Sequence, residues 1–374
     1  MKISTDTRTI QAGDYFIPIK GPHFDGRQFI GEAIAKGGRI LDVDLTAYAK
    51  QYRKKLTCPV IAITGSAGKT TTKDLLYAIL SKKFKVSKTL ENQNNEIGVP
   101  LTLLRTAFDD DMVLVELGMR GLGEIQWLTR MIRPTHVIVT NIGLAHIERL
   151  KSQKNIAKAK SEIFLPALQW ETPERYAFLN FNTPHYDFLH KRAQKSGYIV
   201  LPFGGDTSVD QSINLCYQVA QHFGLNHEDI DRGIHTFESS AHRLKHINLS
   251  HFMVIDDTYN ANPDGVRYAL EHVRRFTGRK ILVLGDMLEL GEFSLEAHKQ
   301  LEDAILNAGI SLLATLGQWS AHIAPPIERS HFTDKTALNA FLRQEIKSGD
   351  IVLIKGSRGI KLEETVDYLC QHFR

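Results

Sequence analysis

Six apolar runs recur along the 374-residue chain, at 60–63, 112–117, 136–140, 252–255, 280–284 and 351–354, with helical patterns between most of them. Each run breaks into polar or glycine residues at its carboxyl end. Strands that alternate with helices build a largely parallel sheet covered on both faces, and such sheets collect ligands at the carboxyl ends of their strands. The polar residues placed there are Thr64 onward, Glu116, Asn141 to His146, Asp256 and Asp257, Asp286, and Lys355 to Arg358. Each alone is as readily turn chemistry as function. Six together point to a site.

The first break is Thr64-Gly65-Ser66-Ala67-Gly68-Lys69-Thr70-Thr71-Thr72. Two glycines let backbone N–H groups close on phosphate oxygens, Lys69 supplies a point charge, and the Thr70 hydroxyl is placed to ligate Mg²⁺. The full phosphate-loop pattern has a further glycine where Ile63 stands, so the spacing is a shortened variant. A strand before the loop and a helix after it favour nucleotide binding over a structural glycine turn.

The length suggests two or three domains. With 43% apolar and 24% charged residues, the composition is that of a soluble globular protein. A net charge of +4, with no basic stripe interleaved with aromatics, excludes nucleic acid as the expected partner. Cys58, Cys216 and Cys370 are widely spaced and odd in number, which suits free thiols in a reducing cytosol rather than a zinc site. No signal peptide opens the sequence and no apolar run is long enough to cross a bilayer, so a cytoplasmic protein is expected. Crisp strand–helix alternation fades between about 204 and 243, and a domain boundary is placed near 242. Ahead of the phosphate loop lies a short segment, then an amphipathic helix at about 45–55 expected to act as a connector.

Lys160 stands out. If Ser152 caps a helix over 153–168, a rotation of 100° per residue puts Ile156, Ala159, Lys160, Ile163 and Phe164 on one face, with Lys154, Lys158 and Glu162 on the other. Lys160 therefore points inward. Burying an ammonium costs several kcal/mol unless it is paired or neutral. Three readings remain open: pairing with a carboxylate such as Glu116, carbamylation to an anion able to ligate Mg²⁺, or snorkelling at the helix edge.

At this point the chain resembles the Mur ligase family, and within it the branch that joins D-alanyl-D-alanine to UDP-N-acetylmuramoyl-tripeptide. The stretches that carry the resemblance are the phosphate loop, Asn92-Gln93-Asn94-Asn95-Glu96-Ile97-Gly98-Val99-Pro100, Glu116-Leu117-Gly118-Met119, Asn141-Ile142-Gly143-Leu144-Ala145-His146, Ala159-Lys160-Ser161-Glu162-Ile163-Phe164, Asp256-Asp257-Thr258-Tyr259-Asn260-Ala261-Asn262-Pro263, Leu284-Gly285-Asp286-Met287-Leu288-Glu289-Leu290-Gly291 and Lys355-Gly356-Ser357-Arg358-Gly359. They are collinear and span most of the chain. The resemblance implies an α/β fold in three domains: a reduced N-terminal UDP-substrate domain over 1–54, a central P-loop ATPase-like parallel sheet over 55–242, and a C-terminal Rossmann-like domain over 243–374.

It also implies an ATP-dependent amide ligase, monomeric and cytoplasmic, working on small molecules in peptidoglycan precursor synthesis. By resemblance, Gly65, Ser66, Ala67, Gly68, Lys69, Thr70 and Thr71 cradle ATP. Thr70, Glu116 and His146 hold Mg²⁺, and Lys160 is the family's carbamylated lysine. Asn94, Asn95 and Asn141 line the phosphate and acceptor side; Arg243, Asp257, Tyr259 and Asn260 reach the nucleotide; Lys355, Ser357 and Arg358 sit near the dipeptide; Thr7, Arg8 and Lys20 belong to the part that grips the uridine diphosphate end.

Departures from the family pattern concentrate in two places. Between Gly38 and Lys55 a strand–helix portion is absent, and between Phe181 and Arg243 the usual glycine-led strands and a His-Asn pair near adenine are missing, with Ser208-Val209 close to that position. Thr7, Arg27 and Gly265 replace a usual serine, histidine and serine. Two alternatives to the peptidoglycan enzyme therefore stand: a reduced relative acting on another carboxylate and amine, and a noncatalytic nucleotide-binding homologue.

Overall fold

The computed structural model describes residues 3–21, 24–165, 174–237 and 241–373. The N-terminal strands are β1 (Ile3–Ser4), β2 (Tyr15–Phe16), β3 (Lys20–Gly21), β4 (Phe24–Asp25) and β5 (Arg39–Ile40). A central group follows: β6 (Val60–Thr64), β7 (Val86–Lys88), β8 (Met112–Glu116), β9 (His136–Val139), β10 (Tyr176–Asn180) and β11 (Ile199–Phe203). The last group is β12 (Lys245–Asn248), β13 (Met253–Asp257), β14 (Lys280–Gly285), β15 (Ile310–Leu316), β16 (Glu328–Phe332) and β17 (Ile351–Lys355). The helices that position the site are α1 (Ile30–Ala35), α2 (Leu45–Lys55), α3 (Lys69–Leu80), α4 (Gly98–Arg105), α5 (Glu124–Ile132), α6 (Ile147–Leu150), α7 (Gln153–Lys160), α8 (Tyr186–Lys195), α9 (Ser208–His222), α10 (His227–His235) and α11 (Pro263–Arg274).

The six expected strands are all present, three in each of two six-stranded sheets. The central sheet runs β11-β10-β9-β6-β8-β7 and is parallel throughout. Every residue of β6, β8 and β9 is buried, because helices cover both faces; hence the unbroken apolar runs in the sequence. The second sheet runs β12-β13-β17-β14-β15-β16, parallel except for β12, which pairs antiparallel with β13. At the N-terminus β1, β2 and β5 form a three-stranded parallel sheet beside the β3–β4 antiparallel pair.

Strands the sequence reading passed over are mostly at sheet edges, where the apolar signal is diluted. β11 carries Pro202, which an edge strand tolerates, and β16 alternates with exposed charged positions. The segment read as lacking alternation between 204 and 243 holds two helices, α9 and α10, whose apolar faces pack with α3 through Leu215, Val219, Ile230 and Ile79. The helix expected as a connector, α2, is more than that. Its Arg53 is buried and donates to the carbonyls of Ile132 (2.6 Å), Leu56 (2.8 Å) and Arg133 (3.0 Å), which fastens it to the end of α5.

Ser152 caps α7 as expected, its side chain accepting from the Asn155 amide. The helix is shorter than expected, however: it ends at Lys160 and tightens into a 3₁₀ turn over Ser161–Ile163, where Ser161 Oγ donates to the Lys158 carbonyl at 2.7 Å. Positions 166–168 of the expected helix lie outside the described residues, as do 238–240 beside the expected boundary.

Candidate active site

The chain leaves β6 through Gly65, where a Cβ would sit 1.8 Å from Thr140 Oγ1, so only glycine fits. Gly68, at φ +77°, turns it into α3. The loop between them is braced from β9's end: Asn141 Oδ1 accepts from the Ser66 and Ala67 amides at 3.0 and 2.9 Å, and Thr140 Oγ1 donates to the Ala67 carbonyl at 2.7 Å. Asn141 thus holds the loop's backbone. Lys69 Nζ folds over the loop onto the Gly65 carbonyl at 2.8 Å. Burial pushes its pKa down, Glu116 opposes that shift, and the charge of Arg243 adds to it.

Glu116, at the end of β8, is buried and fully engaged. Its Oε2 accepts from Thr70 Oγ1 at 2.8 Å, its Oε1 from Asn94 Nδ2 at 2.7 Å, and its backbone amide donates to Thr89 Oγ1 at 3.0 Å. A residue that the sequence reading missed completes the cluster. Lys73, with no exposed side-chain surface, sets its Nζ 3.8 Å from Glu116 Oε2, 3.5 Å from Asp74 Oδ1 and 3.0 Å from the Glu91 carbonyl. It lies one turn beyond Thr70 on α3, a spacing that puts both on one helix face.

Lys160 is 2% exposed and points into the interior, as its helical position requires. Among the described residues Glu116 is not its hydrogen-bond partner, and its pKa lies well below the ordinary lysine value, first from burial and then from the charge of Lys69. His146, at φ +63°, caps α6 and places Nδ1 2.8 Å from Glu289 Oε2 of the C-terminal sheet's loop. That contact holds the Glu289 carboxyl below its usual range. Glu289 is 143 positions from His146, and no local sequence signal announces the pair.

From the other side, Arg243 stacks on the Tyr259 ring at 3.9 Å. Lys355 Nζ donates to Asp257 Oδ2 at 2.5 Å and to the Asn260 carbonyl at 2.9 Å. Burial raises the Asp257 pKa, against the pull of Lys355. A cavity of about 730 Å³ lies between these groups and the phosphate loop. All the expected residues line it except Gly65, Asn141, Ser357, Arg358, Thr7, Arg8 and Lys20. Ser357 is a brace, accepting from the Leu288 amide and donating to the Ala261 carbonyl, while Arg358 faces Glu363 at 3.4 Å. Thr7 is buried in the N-terminal unit and Arg8 pairs with Asp6 on its surface. Asp286 closes a loop by accepting from the Gln318, Trp319 and Ser320 amides. Where the usual His-Asn pair is missing, the Ser208 amide is held by Glu271 of α11 at 2.7 Å.

Comparison with known proteins matches residues 63–250 to the Mur ligase middle domain and residues 242–358 to the Mur ligase glutamate ligase domain. The chain belongs to the Mur ligase family. It is 32% identical to the UDP-N-acetylmuramoyl-tripeptide--D-alanyl-D-alanine ligase of Bacillus subtilis, over 99% of this chain and 93% of that protein. The ligase of the same name from Escherichia coli is 31% identical, over 97% and 92%. Among solved structures, MurF from Acinetobacter baumannii superposes with a TM-score of 0.85 at 25% identity, covering 99% of this chain and 93% of that one. In this family frame, β10 and β11 and the helices α9 and α10 fall within the middle-domain match.

Proposed function

We propose that this Mur ligase joins D-alanyl-D-alanine to UDP-N-acetylmuramoyl-tripeptide at the expense of ATP, as its full-length relatives are named to do. The observation that carries the reading is the convergence of Lys69, Thr70, Glu116, His146 and Lys160 on one cavity between the phosphate loop and the C-terminal sheet. The proposed division at 54/55 and 242/243 into carrier, ATP and closing domains is supported by the separate β1-β2-β5 sheet and the two six-stranded sheets. No helix of the described residues is long and apolar enough to cross a membrane.

In the reaction, the terminal carboxylate of the tripeptide attacks the γ-phosphorus of ATP, releasing ADP and leaving an acyl phosphate. The dipeptide amine then adds to the acyl carbon, and the tetrahedral intermediate expels inorganic phosphate to leave the amide. Lys69, folded on its own loop, swings to the terminal phosphates and offsets the repulsion between two anions. Thr70 and Glu116 present hard oxygens to one point, a donor pair suited to Mg²⁺, with His146 Nε2 available because Nδ1 is taken by Glu289. When bound, the metal neutralises phosphate charge. Asn94 orients Glu116, and Asn141 keeps the loop amides aligned. Lys160, a buried amine whose pKa burial and the charge of Lys69 push well below the ordinary lysine value, is the group to be carbamylated. Arg243 and Tyr259 form a platform for the nucleotide, and Lys355, ordered by Asp257, faces the dipeptide side.

Phosphate release with ATP, Mg²⁺, UDP-N-acetylmuramoyl-tripeptide and D-alanyl-D-alanine, each omitted in turn, tests the reading. Release that needs all four, with the pentapeptide product seen by mass, is expected. ATP binding without turnover in any combination would leave a nucleotide-binding homologue or a different carboxylate carrier.

A further inference from the structure

His146 and Glu289 face each other across the seam between the two large sheets, and both are non-glycine residues in the left-handed region, each at φ +63°. That conformation costs free energy in any residue with a Cβ. The ion pair does not offset the cost as stability, because the Glu289 side chain is 62% exposed and exposed pairs contribute little. Strain kept at such a place points to function.

Glu289 is aimed by its own loop. As the chain leaves β14, Asp286 accepts from the Gln318, Trp319 and Ser320 amides, the Met287 amide donates to His298 Nε2 at 2.9 Å, and the Leu288 amide donates to Ser357 Oγ at 2.8 Å. Buried His298 can accept there because its Nδ1 donates to the Ser294 carbonyl at 2.6 Å. Docking of this loop on α6 does not need the Glu289 side chain. The Glu148 amide donates to the Glu289 carbonyl at 3.3 Å, Leu290 is buried in one apolar cluster with Ile147 and Leu150, and a Cβ on Gly291 would come within 2.9 Å of Glu148 Cγ.

The carboxylate is then left with one task. An ionised carboxylate can only accept, so His146 Nδ1 carries the proton and the neutral ring has its Nε2 lone pair uncovered. The His146 ring lines the cavity together with Thr70 and Glu116. Among the described residues no second polar side chain holds that ring.

We propose that Glu289 is a positioning residue for ligation, fixing the tautomer and rotation of His146 so that Nε2 is presented to the metal beside Thr70 and Glu116. It arrives on the C-terminal sheet, so the His146 ligand is ready only while the two sheets are docked. The setting rests on the ligase reading given above. A carboxylate behind a metal-ligating imidazole is worth about 10- to 100-fold in metal affinity.

The test measures Mn²⁺ binding by EPR, with a non-hydrolysable ATP analogue, to the full-length wild type, Glu289→Ala and Glu289→Gln, alongside kcat and KM for ligation. Thermal melts and X-ray scattering report folding and docking. Glu289→Ala is expected to weaken Mn²⁺ binding and lower kcat by about tenfold or more, with KM for D-alanyl-D-alanine within about twofold and the radius of gyration unchanged. Glu289→Gln, whose amide oxygen still accepts from Nδ1, should stay within about threefold of the wild type in both. Unchanged Mn²⁺ affinity in Glu289→Ala, or a Glu289→Gln variant as impaired as Glu289→Ala, overturns the proposal. A radius that grows in Glu289→Ala overturns it too, by making Glu289 a docking residue. If the wild type ligates no substrate set, the ligase reading fails, while Mn²⁺ binding still decides the role of Glu289.

Discussion

Burial and a neighbouring lysine lower a lysine's pKa and so favour its neutral form, and a neutral amine adds carbon dioxide where an ammonium does not. Lys160 meets these conditions, so ¹³C-bicarbonate should give a carbamate resonance in the wild type that is absent from Lys160→Ala. That variant should fold normally and lose ligation, with partial recovery on adding small carboxylates; full activity would remove the carbamate from the mechanism. Lys73 does a different task, since it does not line the cavity. It balances Glu116 and Asp74 while pinning Glu91 at the head of the asparagine loop. Lys73→Met keeps the volume but removes a buried ammonium beside Glu116, while Lys88 still pairs with Asp74, at a cost of about 3 kcal/mol in urea denaturation. Ligation should fall at least about tenfold as Glu116 loses its orientation. The inward aim of Lys160 was legible from helical spacing alone. That of Lys73 was equally legible, three residues past Thr70, but was not read. Glu289 was not legible, because its contact with His146 exists only once two sheets have docked.

The N-terminus of α11 is the element that joins the two large sheets at the phosphate loop. Asn262 caps the helix and reaches the Ser66 carbonyl at 3.4 Å, while Asp264 Oδ2 accepts from the Leu144 amide at 3.2 Å. Ser66 Oγ in turn accepts from the Gly143 amide at 2.9 Å. A Cβ on Gly143 would lie 1.6 Å from Asp264 Oδ2, so the two loops meet only because that residue is glycine. Gly143→Ala should therefore hold the C-terminal sheet off the phosphate loop. We expect kcat to fall at least about tenfold with ATP affinity within about threefold, because the phosphate loop itself is untouched. X-ray scattering of the nucleotide-bound variant should show a larger radius of gyration than the wild type; an unchanged radius with normal kcat would mean that this approach is not needed for turnover. At this scale the sequence was readable where strands are buried on both faces and less so elsewhere. β6, β8, β9, β13, β14 and β17 announce themselves as apolar runs, whereas β11, β12 and β16 sit at edges and mix charge or proline into the pattern. β10 and β15 are internal and carried a signal that was passed over. The early end of α7 comes from the Ser161 hydroxyl returning to Lys158, a local competition that periodicity does not register.

Across the whole molecule, burial lowers the pKa of one histidine in the central sheet and of another on a helix of the C-terminal unit. His136 begins β9, stacked on Tyr176 and against Phe223, with Nδ1 on the Thr135 hydroxyl and Nε2 3.1 Å from His222 Nε2; Glu174 lies near His222. Its pKa is lowered to about 3, by burial first and by His222 second. His272, on α11, meets His246 Nε2 at 3.0 Å beside Phe276 and Arg275, and burial lowers it to about 4. Both folded-state values lie below the unfolded one near 6.5, so the unfolded chain binds more protons as pH falls. The stability they contribute is present in full above pH 6.5 and is lost as pH drops toward 4 and then 3. Each site contributes a slope of about 1 kcal/mol per pH unit in that window. The melting temperature should hold steady above pH 7 and fall between pH 6.5 and 5, and the His136→Phe, His272→Phe double variant should flatten that fall. Because His136 lies in the central sheet and His272 on α11 of the C-terminal unit, each single variant should flatten it only in part. An unchanged acid slope in the double variant would move the loss to the other histidines lowered by burial, His222, His246 and His298, or to carboxylates that act lower.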